Sequence, residues 1–194
     1  MKGSLLKLLC LVLAATWLSG CATGYLLDNT VQAFSSLTSL PAPPSYRFER
    51  LPSQQGPAQA QLEAMADGAL QKAGLRRDDA NPRFGVQVEG RLQPMLSPWA
   101  TWDDWGWGFG MRHRGFGWGM GGPFARMEPS WYHREASVII RELPSNRVVF
   151  ESRAINDGPW MENAAVFPAM FEAALQGFPT PPPGPRRVDI QVGR

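Results

Sequence analysis

The sequence predicts an α+β domain: an antiparallel sheet of about five to six strands, two helices packed on one face, and a long Gly/Trp-rich insertion. Three observations carry this. Residues 84–92 and 131–155 alternate apolar and polar side chains, the period of a strand with one dry face and one wet face. Residues 58–73 repeat apolar side chains at i, i+3, i+4 and i+7, the stripe of an amphipathic helix. The order of these segments, strands interrupted by two helices, suits helices segregated to one face of an antiparallel sheet.

The chain begins with Lys2 and Lys7, an apolar run from Leu8 to Leu18, the small residues Ser19 and Gly20, and then Cys21. A charged start, a short apolar segment and a small-residue site describe a secretory signal. The run is shorter than the roughly 20 apolar residues a spanning helix needs. Leu18-Ser19-Gly20-Cys21 resembles a bacterial lipobox. The resemblance implies that residues 1–20 are a signal peptide and that the Cys21 thiol is diacylglycerated. It also implies cleavage before Cys21, whose new amino group is open to acylation. Residue 22 is Ala rather than the Asp that marks inner-membrane retention, so the expected address is the outer membrane, facing the periplasm. Two or three long chains anchor a protein stably where one does not, at about 0.8 kcal/mol per buried methylene. Without Lys2 and Lys7 the 19 basic residues fall to 17, equal to the 17 acidic ones, so no strong field is expected to draw in nucleic acid. Cys10 lies in the signal and Cys21 is taken by lipid. The domain is therefore expected to stand without disulfides.

Residues 21–29 read as a lipid-anchored tether and 30–194 as a single domain. Thr30 to Leu40 alternates weakly, with Val31, Ala33 and Leu37 on one side, and prolines 41, 43 and 44 end it. Tyr46 and Phe48 alternate with Arg47 and Glu49 in a short strand. The helix at Ala58–Ala73 places Leu62, Met65, Ala66, Ala69, Leu70 and Ala73 on one face, with Pro57 suited to its first turn and Gly74 to its end. Arg76 to Asp79 reads as a solvated mixed-charge turn. Phe84, Val86, Val88 and Leu92 share a face of the next strand. Two further strands, 131–142 and 147–155, form a hairpin about Pro144-Ser145-Asn146. Tyr132, Ala136, Val138, Ile140, Val148, Phe150 and Ala154 are expected inward. A second helix is expected over Met161–Gln176, kinked or started late by Pro168, and Val188, Ile190 and Val192 suit a final edge strand.

Taken together, the lipobox, the aromatic strand Tyr46-Arg47-Phe48, the alanine-rich helix ending in Gly74 and the strand Phe84-Gly85-Val86-Gln87-Val88 form a recognisable succession. An aromatic, glycine-rich insertion, the hairpin and a helix closing on Phe178-Pro179 complete it. The succession resembles the bacterial lipoprotein family known as domain of unknown function 4136, over most of residues 25–180. Two departures stand out: Phe150 occupies a position usually held by Trp, and Pro144 to Asn146 replace a turn that often carries Asp. The resemblance implies a fold and a location, and no activity.

Ser97 to Gly122 is compositionally unlike the rest. Trp99, Trp102, Trp105, Trp107 and Trp118 stand among eight glycines, with Arg112 and Arg114 close by. Glycine at near-alternate positions disfavours any regular element. Three readings remain open: an insertion without a binding role, a contact surface for an envelope protein, a glycan or lipid headgroups, or self-association through exposed aromatics. Gly117 to Gly122 formally matches G-x-G-x-x-G, but Pro123 follows and no strand precedes, so no dinucleotide site is expected.

Catalytic and metal chemistry find little support. His113 and His133 are the only histidines, twenty residues apart and without a cysteine partner. Met111 and Met120 beside His113 leave a soft copper site as a minor reading. Asp103 and Asp104 are adjacent, whereas a glycosidase pair needs separated carboxylates on a rigid frame. Glu135, Glu142, Glu151 and Arg153 are expected to pair across strands on the wet face. No catalytic residue, metal or cofactor is therefore expected. The expected function is that of an outer-membrane-anchored lipoprotein with a non-enzymatic structural or binding role in the envelope. The alternative is an envelope hydrolase acting on peptidoglycan or another glycan.

Overall fold

The computed structural model describes residues 24–96, 130–159 and 161–193. The lipobox-like stretch Leu18 to Cys21 and the Gly/Trp stretch 97–122 lie outside these. The elements run β1 (Tyr25–Ser35), β2 (Ser45–Phe48), a 3-10 turn at Pro52–Gln54, α1 (Pro57–Lys72) and β3 (Arg76–Arg77). They continue with β4 (Phe84–Met95), β5 (Trp131–Glu142), β6 (Arg147–Pro159), α2 (Asn163–Leu175) and β7 (Arg186–Val192).

The sheet has seven strands in the order β3-β2-β4-β5-β6-β1-β7, not five or six. The strands from β4 to β7 pair antiparallel, while β2 runs parallel to both β3 and β4. The additional strand is β3, within the stretch read as a charged turn. Its backbone pairs with Ser45 and Tyr46 while both arginine side chains stay exposed, so no apolar alternation announces it.

β1 also corrects the tether. The strand starts at Tyr25, and Tyr25 to Asn29 pair with β7 from Val192 to Val188. Its inward side chains are Leu27, Asn29, Val31 and Ala33. A polar residue at an inward position broke the alternation that would have revealed the first half. The strand stops at Ser35, and Leu37 and Leu40 pack against the core from the segment beyond.

α1 forms as its sequence requires. Pro57 sits in the first turn, and Gly74 takes φ +90° just past the end, a conformation that costs glycine nothing. Ala66, Ala69 and Leu70 are buried, with Leu62, Met65 and Ala73 packed beside them. α2 falls within the expected span and carries Pro168 inside it, so the proline does not delay its start. Both helices lie on the same face. A side-chain carbon at Gly90 of β4 would meet Leu62 of α1 at 2.8 Å and Phe167 of α2 at 3.1 Å.

Between sheet and helices lie the fully buried Leu27, Val31, Leu70, Phe84, Val86, Ile140, Phe150 and Phe171, among others. Each such side chain contributes about 1.5–3 kcal/mol relative to exposure. Two positions expected inward are not. Leu92 is exposed on the outer half of β4. Val148 is exposed because a bulge falls where Ile140 pairs with Phe150 but Arg141 pairs with Val148. The extra residue, Val149, is buried in its place.

Tyr46 is buried in β2, and its hydroxyl donates to Asp67 of α1. Burial, and then the Asp67 carboxylate, push its phenol well above the ordinary range. A raised folded pKa stabilises below the unfolded value and ceases to do so as pH rises past it. Above about pH 10 the unfolding free energy should therefore fall, by up to about 1.4 kcal/mol per pH unit for this one proton. Tyr46→Phe should flatten that alkaline slope in urea titrations. An unchanged slope would show that the phenol does not resist ionisation.

Candidate functional site

Antiparallel pairing gathers five strand termini at one end of the sheet. β1 begins there, opposite the end of β7, with Tyr25 against Val192. β5 also begins there, with Trp131 between Met95 at the end of β4 and Pro159 at the end of β6.

A buried polar wedge occupies the same end. The β1–β6 ladder runs from Ser35–Phe150 to Thr30–Ile155. Beyond it, side chains take over from backbone pairing. Asn156 Nδ2 donates to the Asp28 carbonyl at 2.8 Å. Arg134 Nη1 donates to Asn156 Oδ1 at 3.3 Å, and Arg134 Nη2 to the Pro159 carbonyl at 2.8 Å. Asn29 Nδ2 reaches the carbonyls of Leu27 and Val188. All three side chains are buried, and Arg134 is only 1% exposed. No carboxylate pairs with Arg134 among the described residues. Its guanidinium lies 5.5 Å from the Tyr132 ring centre, and burial lowers its pKa. These donors end mostly on backbone carbonyls, so the wedge binds diverging strands together. Sequence reasoning passed over all three residues. The available signal was Arg134 itself, an arginine in phase with the inward Tyr132 and Ala136.

A shallow groove of about 190 Å³ opens beside α1, lined by Gln54, Gln59, Leu62, Glu89, Arg91 and Glu135, among others. Its two carboxylates sit on adjacent strands as diagonal neighbours, since Glu89 faces Ser137 and Arg91 faces Glu135. Glu135 is held by Arg153 at 3.1 Å across the strands. Glu142 likewise pairs with Arg83 and Arg147. Elsewhere, Arg50 clasps buried Glu63 of α1 through two bonds of 2.6 and 2.7 Å. His133 Nδ1 lies 2.6 Å from Asp157 Oδ1 on the helix-free face. Among the described residues no group of three or more His, Cys, Asp or Glu side chains converges as a metal site would require.

The residues singled out by sequence, Cys21, Trp99, Trp102, Trp105, Trp107, Trp118, Arg112 and Arg114, lie outside the described residues. Their neighbours do not: the chain leaves the described fold at Leu96 and returns at Ser130, both at the wedge end. No helix among the described residues is long and apolar enough to cross a membrane.

A family model for "Domain of unknown function (DUF4136)" matches residues 30–180. The chain belongs to this family. The resemblance read from Tyr46, Gly74, Phe84 to Val88 and the hairpin thus holds for the family. No curated protein matches the chain. Among solved structures, this DUF4136 chain is similar to a PDZ domain protein from Parabacteroides distasonis. That match has a TM-score of 0.51 and 14% identity, and covers 90% of this chain but 41% of that one. Two PelC dodecamer structures from Paraburkholderia phytofirmans give TM-scores of 0.47 at 11% identity. One match covers 76% of this chain and 94% of that chain, the other 79% and 99%. Likeness at such identity bears on the fold alone.

Proposed function

We propose that this DUF4136 protein is a lipoprotein anchored through Cys21 to the outer membrane and facing the periplasm. Its role there is structural or binding, not catalytic. The observation that carries the reading is the sequence Leu18-Ser19-Gly20-Cys21 behind a charged, apolar leader, followed four residues later by the start of β1. Four residues span at most about 14 Å, so lipid on Cys21 holds the wedge end of the sheet close to the bilayer. The Trp/Arg stretch 97–122 is the proposed contact for an envelope protein or glycan, since aromatic side chains offer apolar area with a polar handle.

Cys21→Ala tests the anchor. The variant should accumulate as an uncleaved precursor and lose its acyl mass. A Cys21→Ala protein that still matures and fractionates with the outer membrane would sink the proposal. Partner binding is tested separately by crosslinking from positions 99, 105 and 118 in intact cells. No adduct from these positions, together with an unchanged envelope phenotype on deleting residues 97–122, would overturn this contact.

A further inference from the structure

We infer that the wedge end of the sheet carries an apolar rim that rests in the lipid surface, making the bilayer a second contact of the folded domain beyond its covalent anchor. This rests on the proposed lipidation of Cys21 and adds to it a surface of the fold. Among the described residues eight large apolar side chains are exposed, and five belong to this one end: Tyr25, Leu26, Leu92, Met95 and Leu96. Leu96 is 78% exposed and Leu26 58%. They are not neighbours in sequence. Antiparallel pairing brings the start of β1 and the end of β4 to the same end of the sheet, with Trp131 of β5 directly against Met95.

The occupant follows from chain length. Tyr25 is four residues from Cys21, a reach of about 14 Å at full extension. A lipid on that cysteine sets this end against the membrane before any other surface can compete. Half-exposed leucine and methionine with tyrosine and tryptophan at the edge is the composition that settles at a headgroup boundary. The opposite end carries two of the eight: Phe34, 61% exposed, lies eight residues along β1 from Leu26 and on the same face, about 27 Å away, and Val148 lies on the neighbouring β6.

Depth measurement decides this. Leu26→Cys, Leu96→Cys, Phe34→Cys and Val148→Cys are made singly in the full chain, labelled with bimane and reconstituted into phosphatidylethanolamine/phosphatidylglycerol vesicles. Half of the vesicles carry acyl-chain-brominated lipid. Quenching at 26 and 96 should exceed that at 34 and 148 at least threefold. Equal quenching at both ends overturns the inference. So does a blue shift at 26 and 96 without bromine quenching, which would mean that protein covers the rim. The mass of the N-terminal peptide reports separately whether Cys21 is acylated. If it is not, the anchor proposal fails, and the same contrast, repeated on vesicle-bound chains that also carry Cys10→Ser and Cys21→Ser so that bimane labels one site, still decides the rim. Failure of that chain to bind vesicles at all also overturns it.

Discussion

Arg134→Ala should lower the unfolding free energy by about 3 kcal/mol, a loss of roughly 6–12 °C in midpoint for a domain of this size. The substitution removes two charge-assisted hydrogen bonds, to Asn156 Oδ1 and the Pro159 carbonyl, each worth about 1.5–3 kcal/mol. It also empties the space of a large buried side chain. Relief from burying a charge works the other way, since Arg134 has no acid beside it among the described residues. Arg134→Met separates these effects. It keeps the volume and discards the charge, so it should cost about half as much. Urea unfolding at constant m reads both values. If both variants stay within about 0.5 kcal/mol of the parent, the wedge does not hold the strand ends together.

Phe150→Ala should cost about 3–5 kcal/mol, the usual range for emptying a buried aromatic site. Phe150 is fully buried opposite Ile140, and its ring meets Phe178 edge-on at 5.0 Å. Phe150→Leu keeps most of the volume and loses the aromatic pair, so about 1–1.5 kcal/mol is expected. The bulge supplies an internal control. Val149→Ala should cost about 2 kcal/mol, while Val148→Ala one residue earlier should stay within about 0.5 kcal/mol. Unbroken alternation through Val148 requires the reverse. A result in which Val148 is the costly position would place the register shift elsewhere.

Much of the fold was legible in the sequence because its signals are periodic and local. The stripe at Leu62, Met65, Ala66, Ala69 and Leu70 could serve only a helix against an apolar face. The alternation from Phe84 to Val88 could serve only a half-buried strand. The failures share one cause, which is that pairing partners are far away in sequence. β3 has no apolar residue to mark it and exists because its backbone meets Ser45 and Tyr46. The first half of β1 carries Asn29 inward, which is tolerable only because Leu27 and Val188 present carbonyls to its amide. β2 reads as any short aromatic strand, and its parallel sense depends on α1 carrying the chain back to β4.

The candidate site divides in the same way. The resemblance of Leu18 to Cys21 to a lipobox rests on their order along the chain, so it is legible without any fold. The tryptophans of 97–122 stand out by composition alone. Arg134, Asn156 and Asn29 are scattered over 127 positions and become one wedge only where three strands lie side by side. The apolar rim is likewise a product of pairing, since Leu26 and Met95 are separated by most of the first half of the chain. Alone, the sequence determined the helices and the alternating strands, and it carries the lipobox-like stretch on which the proposed anchor rests, because each is a pattern among near neighbours. Tertiary structure decided the seventh strand, the bulge, the buried arginine and the end of the sheet on which exposed apolar side chains collect, because each depends on contacts between residues distant along the chain.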